Sequence, residues 1–244
     1  MSEQNGLWAE SFRVFKVNAK PVAGYIAAMM VIAFVAEHMS GSAGSSVAQA
    51  FAAAILAIPA HLTVLKNASP VTSLLGTSNG KIISPFVMRG IGLGLLAIIL
   101  PAVAFLAMLF SGLPIAINGT ISIVLLLLSA AFVFAKWGTM LPAVALEDDK
   151  SMRKASERGS QIFGYAFPRL LLCFGPLTIL LLAPILLVVS LLNVSEMMFS
   201  TETGLDLPLI LGVLAAQIIG AFQIVMTAVI LSRSYMRAEP AHVQ

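Results

Sequence analysis

The sequence predicts an all-α, polytopic integral membrane protein: a six-transmembrane-helix bundle with two short amphipathic interfacial helices. Three observations support this fold class. Of the 244 residues, 59% are hydrophobic and only 10% are charged, whereas ordinary soluble domains contain about 25% charged residues. The apolar residues form six separate stretches, and the basic residues gather in alternate gaps between these stretches.

The six apolar stretches cover residues 21–36, 47–65, 91–110, 121–141, 170–192 and 207–231. Most of them approach the roughly 20 residues that an α-helix needs to cross a bilayer. Each is an uninterrupted apolar run without the alternation of a membrane barrel strand, so we expect helices. The chain then divides into an N-terminal amphipathic segment (1–20), a membrane domain (21–232) and a tail (233–244).

The first stretch is the shortest and admits a second interpretation, a secretory signal cleaved near Ser42. The region before it carries Glu3 and Glu10 and is long for a signal peptide. This favours an uncleaved membrane anchor.

The distribution of Lys and Arg predicts the orientation of the bundle. The gaps at 37–46, 111–120 and 193–207 contain no Lys or Arg, whereas the other gaps and both ends are basic. Short basic loops resist translocation across the membrane. We therefore expect a multi-pass membrane protein with both termini in the cytoplasm.

Two segments have the pattern of amphipathic interfacial helices. Residues 7–17 place Leu7, Trp8, Phe12 and Phe15 close together on a helix. In residues 151–163, apolar and small residues recur at helical spacing opposite basic ones. The acidic residues at 147–149 come before this segment and suit the start of a helix. The basic residues of the second segment are Arg153, Lys154 and Arg158. They are candidate contacts for anionic lipid or for a partner protein. Alternatively, they could simply orient the fifth span.

The two segments resemble each other loosely, and an ancient three-plus-three duplication would explain this. Between Lys66 and Arg89 the chain is rich in Ser, Asn, Gly and Pro. This composition predicts a connector with one interfacial turn at most.

Small residues recur every fourth position in three spans, which predicts close approach of helices. The packing could join helices of one bundle or of two copies in a homo-oligomer, and spacing does not separate these two cases. The residues concerned are Gly24 and Ala28, Gly90 and Gly94, and Gly212, Ala216 and Gly220.

Four polar residues within or near the spans are candidates for an intramembrane site: Lys136, His61, Gln217 and Gln223. Lys136 is the one basic residue inside a span, and buried ammonium groups are costly and often functional. Its side chain could instead reach the headgroups beside Trp137. Each glutamine is suited to a hydrogen bond between helices.

The sequence offers no recognisable catalytic constellation. It contains no nucleophile elbow, phosphate-binding loop or HExxH pattern, and its one cysteine, Cys173, excludes an intramolecular disulfide and a cysteine metal cluster. We predict no enzymatic activity, no metal and no cofactor. The net charge of +3 is spread over several segments, so we expect membrane lipids and not nucleic acid as partners.

Residues 140–159 resemble a pattern in the YciC-type family of six-span bacterial inner-membrane proteins, which is related to glycerophosphodiesterase-associated membrane domains. In that pattern a Pro-containing span end precedes an acidic turn and a basic amphipathic helix. Pro142, Glu147, Asp148, Ala155 and Arg158 take comparable places, but Gly159 and Ser160 stand where relatives have Ser and an aromatic residue. The resemblance implies an envelope-associated helical protein and transfers no catalytic residue.

We therefore predict a non-enzymatic inner-membrane protein that is an accessory or assembly partner of a membrane complex, or an envelope-homeostasis factor. Its partners would be lipids and another integral membrane protein. The alternative is a small transporter or export channel. That function requires Lys136, His61, Gln217 and Gln223 to converge on a hydrated cavity.

Overall fold

The structure, a computed structural model, describes residues 2–38, 43–66, 79–109, 115–192 and 207–239. Within these ranges the chain is helical except for short turns, the longest of which is at 146–151. The helices are α1 (Ser2–Val17), α2 (Ala19–His38), α3 (Ala43–Lys66), α4 (Asn79–Leu109), α5 (Ile115–Trp137), α6 (Met140–Ala145), α7 (Met152–Leu192) and α8 (Leu207–Ala238). Six of them are long and apolar enough to cross a membrane, namely α2 to α5, α7 and α8. The predicted fold class is confirmed.

Five helices form a ring. In the order α3, α4, α5, α7, α8, each helix contacts the next, and α8 closes the ring on α3. The short helix α6 contacts α3, α4 and α8, so it lies across one end of the ring, hereafter the α6 end. The α2 helix packs on α3 and α8 from outside the ring.

The helix α1 confirms the first predicted amphipathic segment and shows where its apolar face goes. Trp8, Phe12 and Phe15 surround Phe222 of α8, with ring centroids 5.9, 4.7 and 5.7 Å away. Aromatic side chains are large and gain from offset and edge contacts of this kind. The helix is therefore fixed to the bundle itself.

The α4 helix begins earlier than the sequence indicates. The connector predicted up to Arg89 is wrong from Asn79 onward, because α4 starts there. Phe86 and Val87 are each only 4% exposed, and burial of apolar side chains outweighs weak local helix propensity. Residues 67–78 of the predicted connector lie outside the described part of the chain.

The fourth and fifth spans also differ from their predicted bounds. The fourth span, helix α5, ends at Trp137, and residues 140–145 form the separate helix α6. The fifth span and the predicted amphipathic helix before it are one helix of 41 residues, about 60 Å long. This is about twice the thickness of a hydrocarbon core. The beginning of α7 therefore extends past the end of the ring.

Candidate binding cavity

The helices of the ring line a partly open cavity of about 430 Å³. All five ring helices line it, and Leu141 of α6 lines it at the α6 end. Most of the lining that the structure describes is apolar, and the polar side chains in this part of the wall are His61, Gln223 and Thr227. Ligand sites in proteins have this size and this mixture of an apolar wall with a few polar groups.

The cavity exists because α3 presents small side chains to the centre of the ring. Ala50, Ala53, Ala54 and Ala57 all line it, and their spacing places them on one face of a helix. On the facing helix Gly90 lines the cavity, and a methyl group added to it would meet no atom within 4 Å. The alanine face of this span is a signal in the sequence from which the cavity could have been predicted.

His61 lies at the α6 end of the cavity with its side chain almost fully buried, at 1% exposure. Its Nδ1 is 2.8 Å from the Ser232 hydroxyl of α8. Its ring meets the edge of Phe86 with centroids 5.7 Å apart. Among the described residues, Nδ1 is the only ring atom of His61 with a hydrogen-bond partner, which leaves Nε2 available.

Gln223 and Thr227 lie deeper along α8, and each donates one hydrogen bond within the protein. The Gln223 amide donates to the Thr178 hydroxyl at 3.4 Å. The Thr227 hydroxyl donates to the Gln223 carbonyl oxygen at 2.8 Å. The sequence prediction that Gln223 joins two helices agrees with this contact, which links α8 to α7.

The structure brings together two of the four polar candidates. His61 and Gln223 line the cavity, whereas Gln217 and Lys136 do not. Lys136 donates from Nζ to the Ser160 hydroxyl on the exposed side of α7. Its side chain therefore points away from the ring interior.

A glycine lets α7 cross the end of α5 at this place. A Cβ atom on Gly159 would overlap the Lys136 carbonyl group. Gly138 has a similar role at the end of α5, since its Cβ would collide with the Phe134 carbonyl oxygen and with Leu231. Neither glycine belongs to the predicted stripes, and at both positions a larger residue would collide with its neighbours.

At the predicted stripes the outcome differs from one helix to another. A methyl group on Gly24, Gly90 or Gly94 would meet no neighbouring atom, so these glycines are not needed for close helix contact within the chain. Gly212 and Ala216 are buried, while Ala28 and Gly220 are partly buried.

An ionic cluster around the buried Arg158 guanidinium lies at the α6 end. We call it the Arg158 cluster: Arg158, Asp148, Asp149 and Tyr235. The Arg158 side chain is 2% exposed, its Nη2 donates to the Asp149 carbonyl oxygen at 2.6 Å, and its Nη1 is 3.6 Å from Asp148. The Tyr235 hydroxyl donates to Asp148, and the guanidinium lies 5.0 Å from the Tyr235 ring centroid. The cluster thus joins α7 and α8 to the turn after α6.

The acidic turn has a specific backbone geometry. The Asp148 N–H donates to the Ala143 carbonyl and the Glu147 N–H to that of Val144, and Glu147 has a φ of 60°. Helices commonly end in this way, with one residue in the left-handed conformation that reverses the direction of the chain. It turns the chain so that Asp148 faces α7.

The helix α7 is capped beside the turn. Ser151 accepts a hydrogen bond from the Lys154 N–H at 3.3 Å and donates its own N–H to Asp149 at 2.9 Å. The backbone hydrogen bond from Ser151 lowers the pKa of Asp149, and the Ser151 hydroxyl and the charge of Arg158 add to the effect. Asp149 therefore stays ionised at neutral pH.

The prediction for Arg158 as a lipid contact needs correction, because this residue is buried and paired. Arg153 is exposed and Lys154 is partly exposed, so both remain accessible to a lipid or a partner. Arg153 pairs with Glu157 at 3.2 Å, and Lys154 pairs with Glu239 at 3.5 Å. The sequence could not separate the three, because a guanidinium that faces the protein and one that faces water can be close neighbours on one helix.

No protein-family model, curated protein or solved structure matches this chain.

Proposed function

We propose that this protein belongs to the bacterial inner membrane, acts by binding and not by catalysis, and holds a lipid-soluble molecule in its central cavity. The observation that supports this function is the cavity itself, about 430 Å³ of space with an almost wholly apolar wall. Apolar walls favour apolar ligands because burial removes hydrocarbon from water or from a less complementary environment.

The proposal includes an orientation. Lys66, Arg153 and Arg233 lie at the α6 end, and basic termini and loops are retained in the cytoplasm. We therefore place the α6 end and both termini on the cytoplasmic side. The similarity of residues 140–159 to YciC-type proteins fits the same orientation, and we propose kinship with them on that segment alone.

Transport of a polar solute is less well supported than binding of an apolar one. The polar path required four residues, and the structure brings only His61 and Gln223 to the cavity. One of the two amide N–H groups of Gln223 is already bonded to Thr178 within the protein.

An accessory or assembly role is the second candidate function. Gly24 and Gly94 offer small-residue surfaces with no neighbouring atom within 4 Å, and such surfaces allow the helix of another membrane protein to approach closely. Purification in native nanodiscs tests this role. A stoichiometric membrane-protein partner that is lost in Gly94→Leu would support it; a protein purified without a partner would contradict it.

Photolabelling tests the cavity function. A diazirine-bearing hexadecane is added to the purified protein, and labelled peptides are identified by mass spectrometry. We expect labelling of the peptides that contain Phe86 and Phe134, because both side chains line the cavity. Gly90→Leu should reduce this labelling at least about fivefold, because the new side chain fills space that is empty beside Gly90.

Gly94→Leu is the matched control. It lies one turn along the same helix, a methyl group there also meets no atom, and it does not line the cavity. Labelling should remain at the wild-type level in this variant. Equal labelling of the wild type and Gly90→Leu would contradict the proposed function.

A further inference from the structure

We propose that the cavity takes a neutral, single-chain lipid, acyl or prenyl, whose terminal hydroxyl group hydrogen-bonds to Nε2 of His61. This inference rests on the proposed function and specifies its ligand. It follows from the charge of the cavity wall, from the unused hydrogen-bonding capacity of His61 and from the dimensions of the space.

The residues that line the cavity limit the charge that a ligand can carry. Among the described residues that line the cavity there is no Asp, Glu, Lys or Arg. A phosphate, carboxylate or ammonium group placed inside would lose its hydration without gaining a counter-ion, and this costs several kcal/mol or more. A ligand that enters completely is therefore uncharged.

His61 decides the polar group. A charged imidazole is also costly among Phe86, Leu141 and Leu231, so the ring is neutral and has one donor and one acceptor nitrogen. Nδ1 is engaged with Ser232, and either tautomer is compatible with that contact. A hydroxyl group both donates and accepts, so it satisfies Nε2 in both tautomers.

The length and volume of the cavity indicate how many hydrocarbon chains the ligand has. Ala50 and His61 line opposite ends of the cavity along α3, and their helical separation is about 16 Å. Half of a hydrocarbon core is about 15 Å. A volume of about 430 Å³ holds about fourteen groups of the size of a water molecule, each of about 30 Å³. That volume suits one hydrocarbon chain.

The α6 end determines the direction of the ligand. His61 and Leu141 both line the cavity, and α6 contacts α3, so both residues lie at the end that the Arg158 cluster holds in place. The hydroxyl group therefore binds beneath α6, and the tail follows the alanine face of α3 toward Ala50. A polar group at the Ala50 end would meet only methyl groups on that helix.

Competition against the diazirine-bearing hexadecane tests the inference in the full-length protein in detergent. The competitors are 1-hexadecanol, hexadecane, farnesol and dioleoyl phosphatidylglycerol. In the wild type we expect 1-hexadecanol to compete at about tenfold lower concentration than hexadecane, since a buried hydrogen bond has a net value of about 1 kcal/mol or slightly more. The phospholipid should compete at least about tenfold less well than 1-hexadecanol.

Two substitutions test which ring nitrogen of His61 binds the hydroxyl group of the ligand. His61→Asn places its amide near the position of Nδ1 and has no atom at Nε2, so the preference for the alcohol should fall below about twofold while competition by hexadecane is unchanged. His61→Gln reaches the Nε2 position and should retain most of the preference. Farnesol distinguishes the source of the chain: stronger competition than by 1-hexadecanol assigns a prenyl ligand, and weaker competition an acyl ligand.

The outcomes separate this inference from the function on which it rests. If hexadecane and 1-hexadecanol compete equally in the wild type while Gly90→Leu still abolishes labelling, the hydroxyl assignment is overturned and the cavity function stands. Equal or better competition by the phospholipid overturns the neutral single-chain assignment. Labelling that no competitor displaces and that Gly90→Leu does not reduce removes the cavity function itself.

Discussion

The central cavity and the Arg158 cluster lie at neighbouring levels of the same ring and are built in opposite ways. The cavity wall combines alanine and glycine with larger aliphatic and aromatic side chains, and it leaves space. The cluster instead holds a buried guanidinium whose partners are Asp148, the Asp149 carbonyl and Tyr235. The comparison indicates that specific polar contacts fix the α6 end, while the middle of the ring stays adaptable to a ligand.

The largest expected effect comes from breaking the cluster. Asp148→Ala leaves the Arg158 guanidinium buried without its carboxylate, and removal of one partner of a buried pair typically costs about 3–5 kcal/mol. We expect about 3 kcal/mol, at the lower end of that range, because the Asp148 side chain is 28% exposed. The measurement is the free energy of unfolding in mixed micelles.

Glu157→Ala is the control for the Asp148 variant. It removes an ion pair with Arg153 in which both side chains are at least half exposed, and such pairs contribute less than about 1 kcal/mol. A loss of stability as large as that of Asp148→Ala would mean that burial does not distinguish the two pairs.

A smaller effect is expected where α7 crosses α5. Gly159→Ala places a methyl group against the Lys136 carbonyl, and overpacking of this kind typically costs about 1–3 kcal/mol. Gly164→Ala on the same helix meets no atom within 4 Å and should raise stability slightly, because alanine favours the helix. Opposite signs in the two thermal unfolding curves would support the crossing; equal signs would contradict it.

The smallest expected effect on stability comes from a substitution in the cavity wall. Gly90→Leu should leave the free energy of unfolding unchanged or raise it by less than about 1 kcal/mol, because the side chain enters empty space and favours the helix. Thermal unfolding measured in the same detergent checks this. A loss above about 1 kcal/mol would show that the cavity is as tightly determined as the cluster.

Hydropathy and the distribution of charge predicted the six-helix fold, because a bilayer requires long apolar helices whatever their packing. The boundaries at Asn79 and Trp137 could not be predicted in this way. Both depend on tertiary contacts: the burial of Phe86 and the approach of Gly138 to Leu231.

The candidate site could be predicted only in part. His61 and Gln223 were found as polar residues within spans, and both line the cavity. Arg158 was grouped with exposed basic residues, because composition does not report which face of a helix is covered. Tyr235 was missed, since its role depends on Asp148, which is 87 residues away in the chain.

The contact between α1 and α8 has a consequence for biogenesis. The aromatic side chains of α1 pack on Phe222, which the ribosome adds roughly 200 residues after Phe15. At about 5–20 residues per second, the first helix waits about 10–40 s for its docking surface. During that interval its aromatic face needs another cover, and the membrane surface on which an amphipathic helix can rest provides one.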